Sequence, residues 1–296
     1  MKTEDIVSVI VPAYNHEAYI IDSLSSITQQ TYYNKQLIVI DDFSMDRTAD
    51  LIDRYLDREV VHELFPGGIE FIRHQKNMNA YSTINEGIYL ANGKYISVIN
   101  SDDCYERNRL KVMIQSLKDN HAKFAFSKVR CFDENGNRME NTQFLGIESA
   151  LKKYPSPTFA LPIKNVAVGS GNFVFERKLF DEIGGFGEYH FIHDWDFALK
   201  AAILGEPLYV EETTYWYRLH SSNTIKQIEE TETNRIKKDR EVKEVLENYL
   251  KVILKGKAAN VVLQDVQLWD YFMKLESEQY CSYLWEGLKV RECDGI

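Results

Sequence analysis

Two acidic pairs stand where chemistry is easiest to place in this chain. Asp102-Asp103 follows an apolar run over residues 95–99, and Asp41-Asp42 follows another over residues 37–40. Hard divalent cations take carboxylate oxygens and share their shell with substrate phosphates. Two acids at one strand end can therefore hold Mg2+ or Mn2+ against a diphosphate. Asp103 can equally cap a helix over about residues 106–118. A carboxylate at Asp41-Asp42 can accept the ring N–H of uracil or thymine, and it can also serve as a loop cap. Pro12-Ala13-Tyr14-Asn15 offers an aromatic face for a base and an amide able to tie loops together, although tyrosine also packs readily in a core. His193-Asp194-Trp195-Asp196 follows Gly184-Gly185-Phe186. A carboxylate there can act as general base for a hydroxyl nucleophile, while a helix start would use Asp194 as cap and Trp195 as core. Tyr217-Arg218-Leu219-His220 places an imidazole able to bind metal or phosphate beside an arginine able to pair with phosphate. A lone histidine also sits at many surfaces with no ligand at all.

These residues need a frame to bring them together. Residues 7–11 are a continuous β-branched run, the pattern of a buried parallel strand. Ile21, Leu24 and Ile27 have helical spacing within 17–30. A strand over 37–40 leads to a helix over about 46–58 that Ser44 can cap. Gly67-Gly68 turns into a strand over 69–73. A helix over 80–91 stops at Asn92-Gly93, before the strand over 95–99. This βαβαβ order predicts an α/β fold, a mostly parallel sheet with helices on its faces. Pro12–Asn15, Asp41-Asp42 and Asp102-Asp103 then all fall beyond the carboxyl ends of strands, where such sheets bind ligands.

The second half is less regular. A strand is expected over 123–132. Residues 142–167, with Pro155, Pro157 and Pro162, read as a loop-rich cover for a site. A Gly-rich turn leads into a strand ending at 175, a helix spans 194–204, and strands follow near 208–210 and 214–219. From about 225 the composition shifts to charged helix formers, with Val242, Val245, Leu246, Tyr249, Ile253 and Leu254 as an apolar stripe. An aromatic-rich helix is expected over 261–290. The chain thus divides into 1–225 and a helical extension over 226–296. The extension's apolar faces suit packing on the first domain, homo-oligomer formation, or docking to a membrane-bound acceptor.

Composition narrows the function classes. The chain has 296 residues, 44% hydrophobic and 27% charged, with a formal charge of −10 at pH 7. That is the balance of a globular protein able to bury a core without disulfides. An acidic chain lacks the basic footprint of a general nucleic-acid binder. Cys104, Cys131, Cys281 and Cys293 form no CxxC pair, as expected of reduced thiols in a cytoplasmic protein. The apolar run that stops at Pro12 is too short for a signal peptide or a membrane span. Any membrane contact is expected to be peripheral, at the inner face of the cytoplasmic membrane.

The ordered set of motifs resembles the family 2 glycosyltransferases, which have the GT-A fold. Residues 8–15 are similar to that family's opening strand, and Val39-Ile40-Asp41-Asp42-Phe43-Ser44-Met45-Asp46 to its second-strand motif. Asn77, Asn85-Glu86-Gly87 and residues 91–96 resemble the helix before its metal strand. Ser101-Asp102-Asp103 resembles the DxD-type motif, with Arg109-Leu110 following. Gly184-Gly185-Phe186 and His193-Asp194-Trp195-Asp196 resemble the acceptor-side segment, and Tyr217-Arg218-Leu219-His220 the closing motif. The resemblance covers about residues 5–225.

It implies a metal-assisted inverting glycosyltransferase using a UDP- or dTDP-sugar and a glycan or lipid-linked glycan acceptor. The expected setting is bacterial surface polysaccharide such as O-antigen or capsule. Pro12, Ala13, Tyr14, Asn15, Asp42, Asn77 and Asp102 would bind the nucleotide, with Asp42 reading the base and Asp102 facing the ribose. Asp103 and His220 would hold Mn2+ or Mg2+, and Asp194 would be the catalytic base. Arg218, His193 and Trp195 would face the diphosphate or acceptor. Two positions depart from the family pattern: Asn100 stands where many members have Asp, and His193 replaces the acid that commonly precedes the base. A sugar nucleotidyltransferase is the competing enzyme class, although no Gly-rich Lys/Arg loop for a triphosphate follows the first strand. A non-catalytic nucleotide-sugar-binding scaffold is the competing binding class.

Overall fold

The computed structural model describes residues 5–140, 142–223, 231–254 and 259. Within them, nine strands form one sheet: β1 (Val7–Ala13), β2 (Lys35–Asp41), β3 (Ile69–Arg73), β4 (Tyr95–Val98), β5 (Cys104–Tyr105), β6 (Phe124–Asp133), β7 (Arg138–Met139), β8 (Phe173–Glu176) and β9 (Leu208–Leu219). The order is β3-β2-β1-β4-β8-β6-β9-β5, with β7 paired to β6. The β3-β2-β1-β4 half is parallel. β1, β2 and β4 are apolar-rich and buried on both faces, as a parallel layer covered by helices requires, while the edge strand β3 is half-exposed. The direction reverses at β8, which lies antiparallel to both β4 and β6. β9 then runs parallel to β6, and its pairing jumps from Ser127↔Val210 to Lys128↔Thr214. This irregularity makes one bent strand of the two expected after residue 207.

The helices are α1 (Ile20–Thr28), α2 (Thr48–Leu56), α3 (Glu59–His62), α4 (Ala80–Leu90), α5 (Arg109–Asp119), α6 (Thr142–Lys153), α7 (Pro157–Ala160), α8 (Arg177–Ile183), α9 (His193–Leu204) and α10 (Glu232–Leu254). Ser44 does not cap α2: its hydroxyl accepts the Asn15 N–H, and Asp46 Oδ1 accepts the Thr48 N–H instead. The cover over 142–167 is also more ordered than its prolines suggested. Pro155 lies just beyond α6 and Pro157 opens α7, positions where a missing N–H costs no helix bond.

α10 folds back onto the sheet domain. Val242, Val245, Leu246, Tyr249, Leu250 and Ile253 are buried, and the Glu241 carboxylate accepts the backbone N–H groups of His190 and Phe191 at 3.1 and 2.9 Å. The expected helix over 261–290, with Cys281 and Cys293 beyond α10, lies outside the described residues. Cys104 and Cys131 are free thiols whose burial pushes both up to about 12, so neither is a nucleophile at neutral pH. Among the described residues no helix is long and apolar enough to cross a membrane.

One glycine sets how closely a helix can approach the sheet. Gly87 on α4 faces β1, where an added Cβ would meet Ile10 Cγ2 at 2.5 Å. Gly87→Val is expected to lower unfolding free energy by about 2–3 kcal/mol through overpacking. Urea denaturation of the two proteins measures it, and an unchanged midpoint would show that α4 can shift away at no cost.

Candidate active site

Polar residues collect where β1, β2 and β4 end. The chain leaves β1 at Asn15 (φ 51°) and β2 at Phe43 (φ 67°), both in the left-handed region that non-glycine residues seldom occupy. Cross-links hold these turns: the Asn15 N–H donates to Ser44 Oγ, and Asn15 Oδ1 accepts the Met45 N–H at 2.8 Å. Tyr14 is exposed at this mouth, Ala13 is buried and Pro12 is half-buried. Asp42 is buried. Its Oδ1 accepts the Met78 N–H at 2.7 Å and lies 2.8 Å from His74 Nδ1, while its carbonyl accepts the Asn77 amide.

The two acids after β4 have opposite surroundings. Asp103 is fully enclosed. Its Oδ1 accepts the Arg218 N–H at 2.8 Å, and its Oδ2 accepts the Asn100 amide at 3.2 Å and the Tyr215 hydroxyl. Burial, reinforced by the charge of Asp102, pushes its carboxyl well above the ordinary range, against those hydrogen bonds. Asn at position 100 suits this arrangement, because it donates where an aspartate would add a third negative charge.

Asp102 is partly exposed. His220 Nε2 lies 2.9 Å from its Oδ2 and His16 Nε2 3.7 Å away. Its Oδ1 is buried with no hydrogen-bond partner. Burial alone would raise this carboxyl, but His16 and then His220 outweigh it and hold it below the usual range. One ligand atom each from His16, Asp102 and His220 fall within 4.8 Å of one another. Two imidazoles, a carboxylate and an orphaned carboxylate oxygen form a donor set that suits a divalent first-row cation. Cis ligands about 2.1 Å from such an ion sit roughly 3 Å apart, close to the Asp102–His220 spacing.

The remaining contacts brace this cluster. His220 Nδ1 is 2.9 Å from Ser222 Oγ, and its ring packs against Tyr19 at 4.6 Å between centroids. Arg218 is buried. Its Nε donates to the Asp102 carbonyl at 2.8 Å, its guanidinium pairs with Asp22, and it stacks over Phe132 and Tyr19. The arginine expected at a diphosphate thus ties the loop that carries Asp102 to Asp22 on α1. His16 was missed in the sequence. Its only signal was adjacency to Asn15, and Ser101 Oγ, 2.7 Å from its Nδ1, orients the ring.

Asp194 lies in the first turn of α9. Its Oδ2 accepts the Asn165 amide at 2.8 Å and the Gly169 N–H at 2.9 Å. Among the described residues nothing bonds to its Oδ1. The turn that supplies this N–H is strained, with Val168 at φ 47° and Gly169 at 67°. Trp195 is buried, and its indole N–H donates to the Leu161 carbonyl at 2.7 Å, so its ring belongs to the core. His193 is half-buried 6.1 Å from the Phe186 ring, and burial lowers its pKa. Burial pushes the Tyr217 hydroxyl far up, and the charges of Asp103 and Asp102 add to it.

A parallel nucleotide-binding half, a reversal at β8 and acids at the β2 and β4 ends define the GT-A class of glycosyltransferase. A family model described as Glycosyl transferase family 2 matches residues 8–184, and the chain belongs to that family. A relative from Escherichia coli, named UDP-Glc:alpha-D-GlcNAc-diphosphoundecaprenol beta-1,3-glucosyltransferase WfgD, is 28% identical over 202 residues, covering 67% of this chain and 70% of its own. The fold is similar to S. aureus TarS 1-349 in complex with UDP-GlcNAc, with a TM-score of 0.60, 17% identity, and 82% and 71% of the two chains covered. It is also similar to mannosyltransferase PcManGT from Pyrobaculum calidifontis, solved with GDP-Man and Mn2+, with a TM-score of 0.57, 16% identity, and 100% and 89% covered.

The Tyr215 hydroxyl connects β9 to the buried Asp103. Tyr215→Phe is expected to cost about 1–3 kcal/mol of stability by leaving a buried carboxyl short of a partner. Chemical denaturation near neutral pH measures the loss, and a variant as stable as the parent would show that Asp103 does not need this donor.

Proposed function

We propose that this glycosyltransferase moves a sugar from a UDP- or dTDP-sugar to a hydroxyl of a glycan or lipid-linked glycan by one inverting displacement. The observation that carries the reading is Asp102 flanked by two imidazoles, with His220 Nε2 at 2.9 Å and His16 Nε2 at 3.7 Å from its Oδ2. Family membership supports the reaction class. The name of the E. coli relative supports the donor and the lipid-linked acceptor, since it pairs UDP-Glc with a beta-linked product.

Asp102, His220 and His16 would hold the cation, in place of the Asp103 and His220 pair expected from the motif. Mn2+ suits two imidazoles and a carboxylate better than Mg2+, which favours all-oxygen shells. Bound there, a divalent ion neutralises charge developing on a departing diphosphate. Asp103 shapes the loop from beneath. Pro12, Tyr14, Asn15, Asp42 and Asn77 line the nucleoside end, with Asp42 accepting the ring N–H of the base.

Asp194 is the general base. Asn165 and Gly169 hold its Oδ2, which leaves Oδ1 to take the proton of the attacking hydroxyl. The hydroxyl oxygen bonds to the anomeric carbon as the bond from that carbon to the diphosphate oxygen breaks. Attack from the opposite face converts an α-linked donor into a β-linked product.

Asp194→Asn is expected to bind UDP within about threefold of the parent, while turnover falls by about 10²–10⁴. A panel of UDP- and dTDP-sugars, assayed for transfer and hydrolysis, reads the second quantity and calorimetry the first. Turnover near the parent rate would remove Asp194 from the base role. For the cation, Mn2+ electron paramagnetic resonance without nucleotide is expected to show binding that weakens at least about tenfold in His16→Ala and in Asp102→Asn. If Asp103→Asn, while still folded, abolished Mn2+ binding and these two variants did not, the ligand assignment would revert to Asp103.

A further inference from the structure

His74 lies one residue beyond β3 and carries no motif signal, yet it joins two acids from separate elements. Its Nδ1 is 2.8 Å from Asp42 Oδ1 at the end of β2, and its Nε2 is 2.9 Å from Glu86 Oε2 on α4. Its own N–H donates to the Asp41 carbonyl at 2.9 Å, which fixes the backbone beneath the ring. A neutral imidazole has one N–H and one lone pair, so it can donate to only one of the two acids. The other contact would then set a lone pair against a carboxylate. Only the imidazolium donates to both.

The surrounding charges favour that form. Burial opposes a charge on His74, but the hydrogen bonds and charges of Asp42 and Glu86 outweigh it and raise the pKa from its ordinary 6.5. Other charged groups nearby are turned elsewhere or stand in solvent. Asp41 points its Oδ2 at the Ser44 N–H, Arg73 pairs with Asp50 and Asp53 on α2, and Lys76 is exposed.

The consequence falls on Asp42. Its Oδ1 is held from two directions, by the His74 ring and the Met78 N–H. That fixes the plane of the carboxylate. Among the described residues Oδ2 has no hydrogen-bond partner. We propose that His74, as an imidazolium bridging Asp42 and Glu86, is a positioning residue that locks Asp42 so that one carboxylate oxygen meets the N3–H of a uracil or thymine ring. This rests on the reading of Asp42 as the base-facing carboxylate.

The pH dependence follows in sign. Below the His74 pKa both ring N–H groups are present and the clamp is complete. As pH rises through that raised value one donor is lost, Asp42 loosens, and nucleotide affinity falls. Selectivity falls with it, because a fixed acceptor rewards uracil over cytosine, whose N3 carries no hydrogen. Every other group in the site is common to all variants at position 74 and cancels in the comparison.

Calorimetry with UDP and with CDP, in Mn2+ between about pH 6 and 8.5, tests this on the full chain, with thermal melting to confirm that each variant folds. His74→Asn keeps a neutral donor toward Asp42 and has nothing to titrate. It is expected to bind UDP within about threefold of the parent at pH 6 and to lack the parent's extra fall at high pH. His74→Leu is expected to bind UDP roughly tenfold more weakly at pH 6, as loss of a hydrogen bond to a charged group predicts, and to lose preference for UDP over CDP. Asp42→Ala separates the two levels of the argument. If it leaves UDP affinity and preference unchanged, Asp42 does not read the base and the clamp has no object. If it removes both while folded His74→Leu matches the parent in affinity, preference and pH profile, the base reading stands and the positioning role of His74 is overturned.

Discussion

Two adjacent carboxylates at the end of β4, Asp103 enclosed and Asp102 partly exposed, are the constraint around which the rest of this protein is arranged. Neither Asp102 nor Asp103 can be enclosed as a bare charge, because desolvating an unpaired carboxylate is far more costly than any local contact returns. The fold resolves them differently. Asp103 turns inward, where Tyr215, Asn100 and the Arg218 N–H surround it and burial drives its carboxyl toward the protonated form. Asp102 stays partly exposed, and two imidazoles keep it ionised. Separating their protonation preferences lets two like charges coexist as neighbours.

That solution recruits distant parts of the chain. β9 brings Tyr215, Arg218 and His220 back beside β4, and the irregular pairing of β9 with β6 lies just before them. The buried Arg109 supports the same region, and among the described residues it has no acidic partner. Its guanidinium donates to Asn172 and Ser127 and lies over the rings of Tyr105 and Tyr215. Asn172 closes the loop by donating to the Ala167 and Ser127 carbonyls. The turn after Ala167 then presents the Gly169 N–H to Asp194. A continuous chain of polar contacts thus runs from beneath the acids to the proposed base, so Asp103 and Asp194 share one support.

The nucleotide half follows a different physical rule. Its inner strands β1, β2 and β4 are buried on both faces, leaving their ends as the places where polar side chains can reach solvent. The turns there hold left-handed residues such as Asn15 and Phe43, and hydrogen bonds between the turns hold that strain in place. His74 extends the pattern to a third strand end, joining β3 to β2 and α4.

Local pattern alone settled the parallel half and the strand ends where polar residues gather. Uninterrupted β-branched runs and helical spacing are properties of neighbouring residues, so they survive in a single sequence. The same holds for the ordered motifs that point to the family. Side-chain direction and long-range partners do not survive there. Successive residues of an extended segment point to opposite sides, so the difference between Asp102 and Asp103 depends on what β9 and the β1 loop bring near. His16 and His74 acquire their partners across 86 and 32 residues, and no spacing rule reaches that far. Trp195 and Arg218 read as ligand-facing by type, yet burial turned one into the core and the other onto the acidic loop. Helices over 142–160 escaped notice because proline marks a helix boundary as readily as a loop, and only the packed chain shows which.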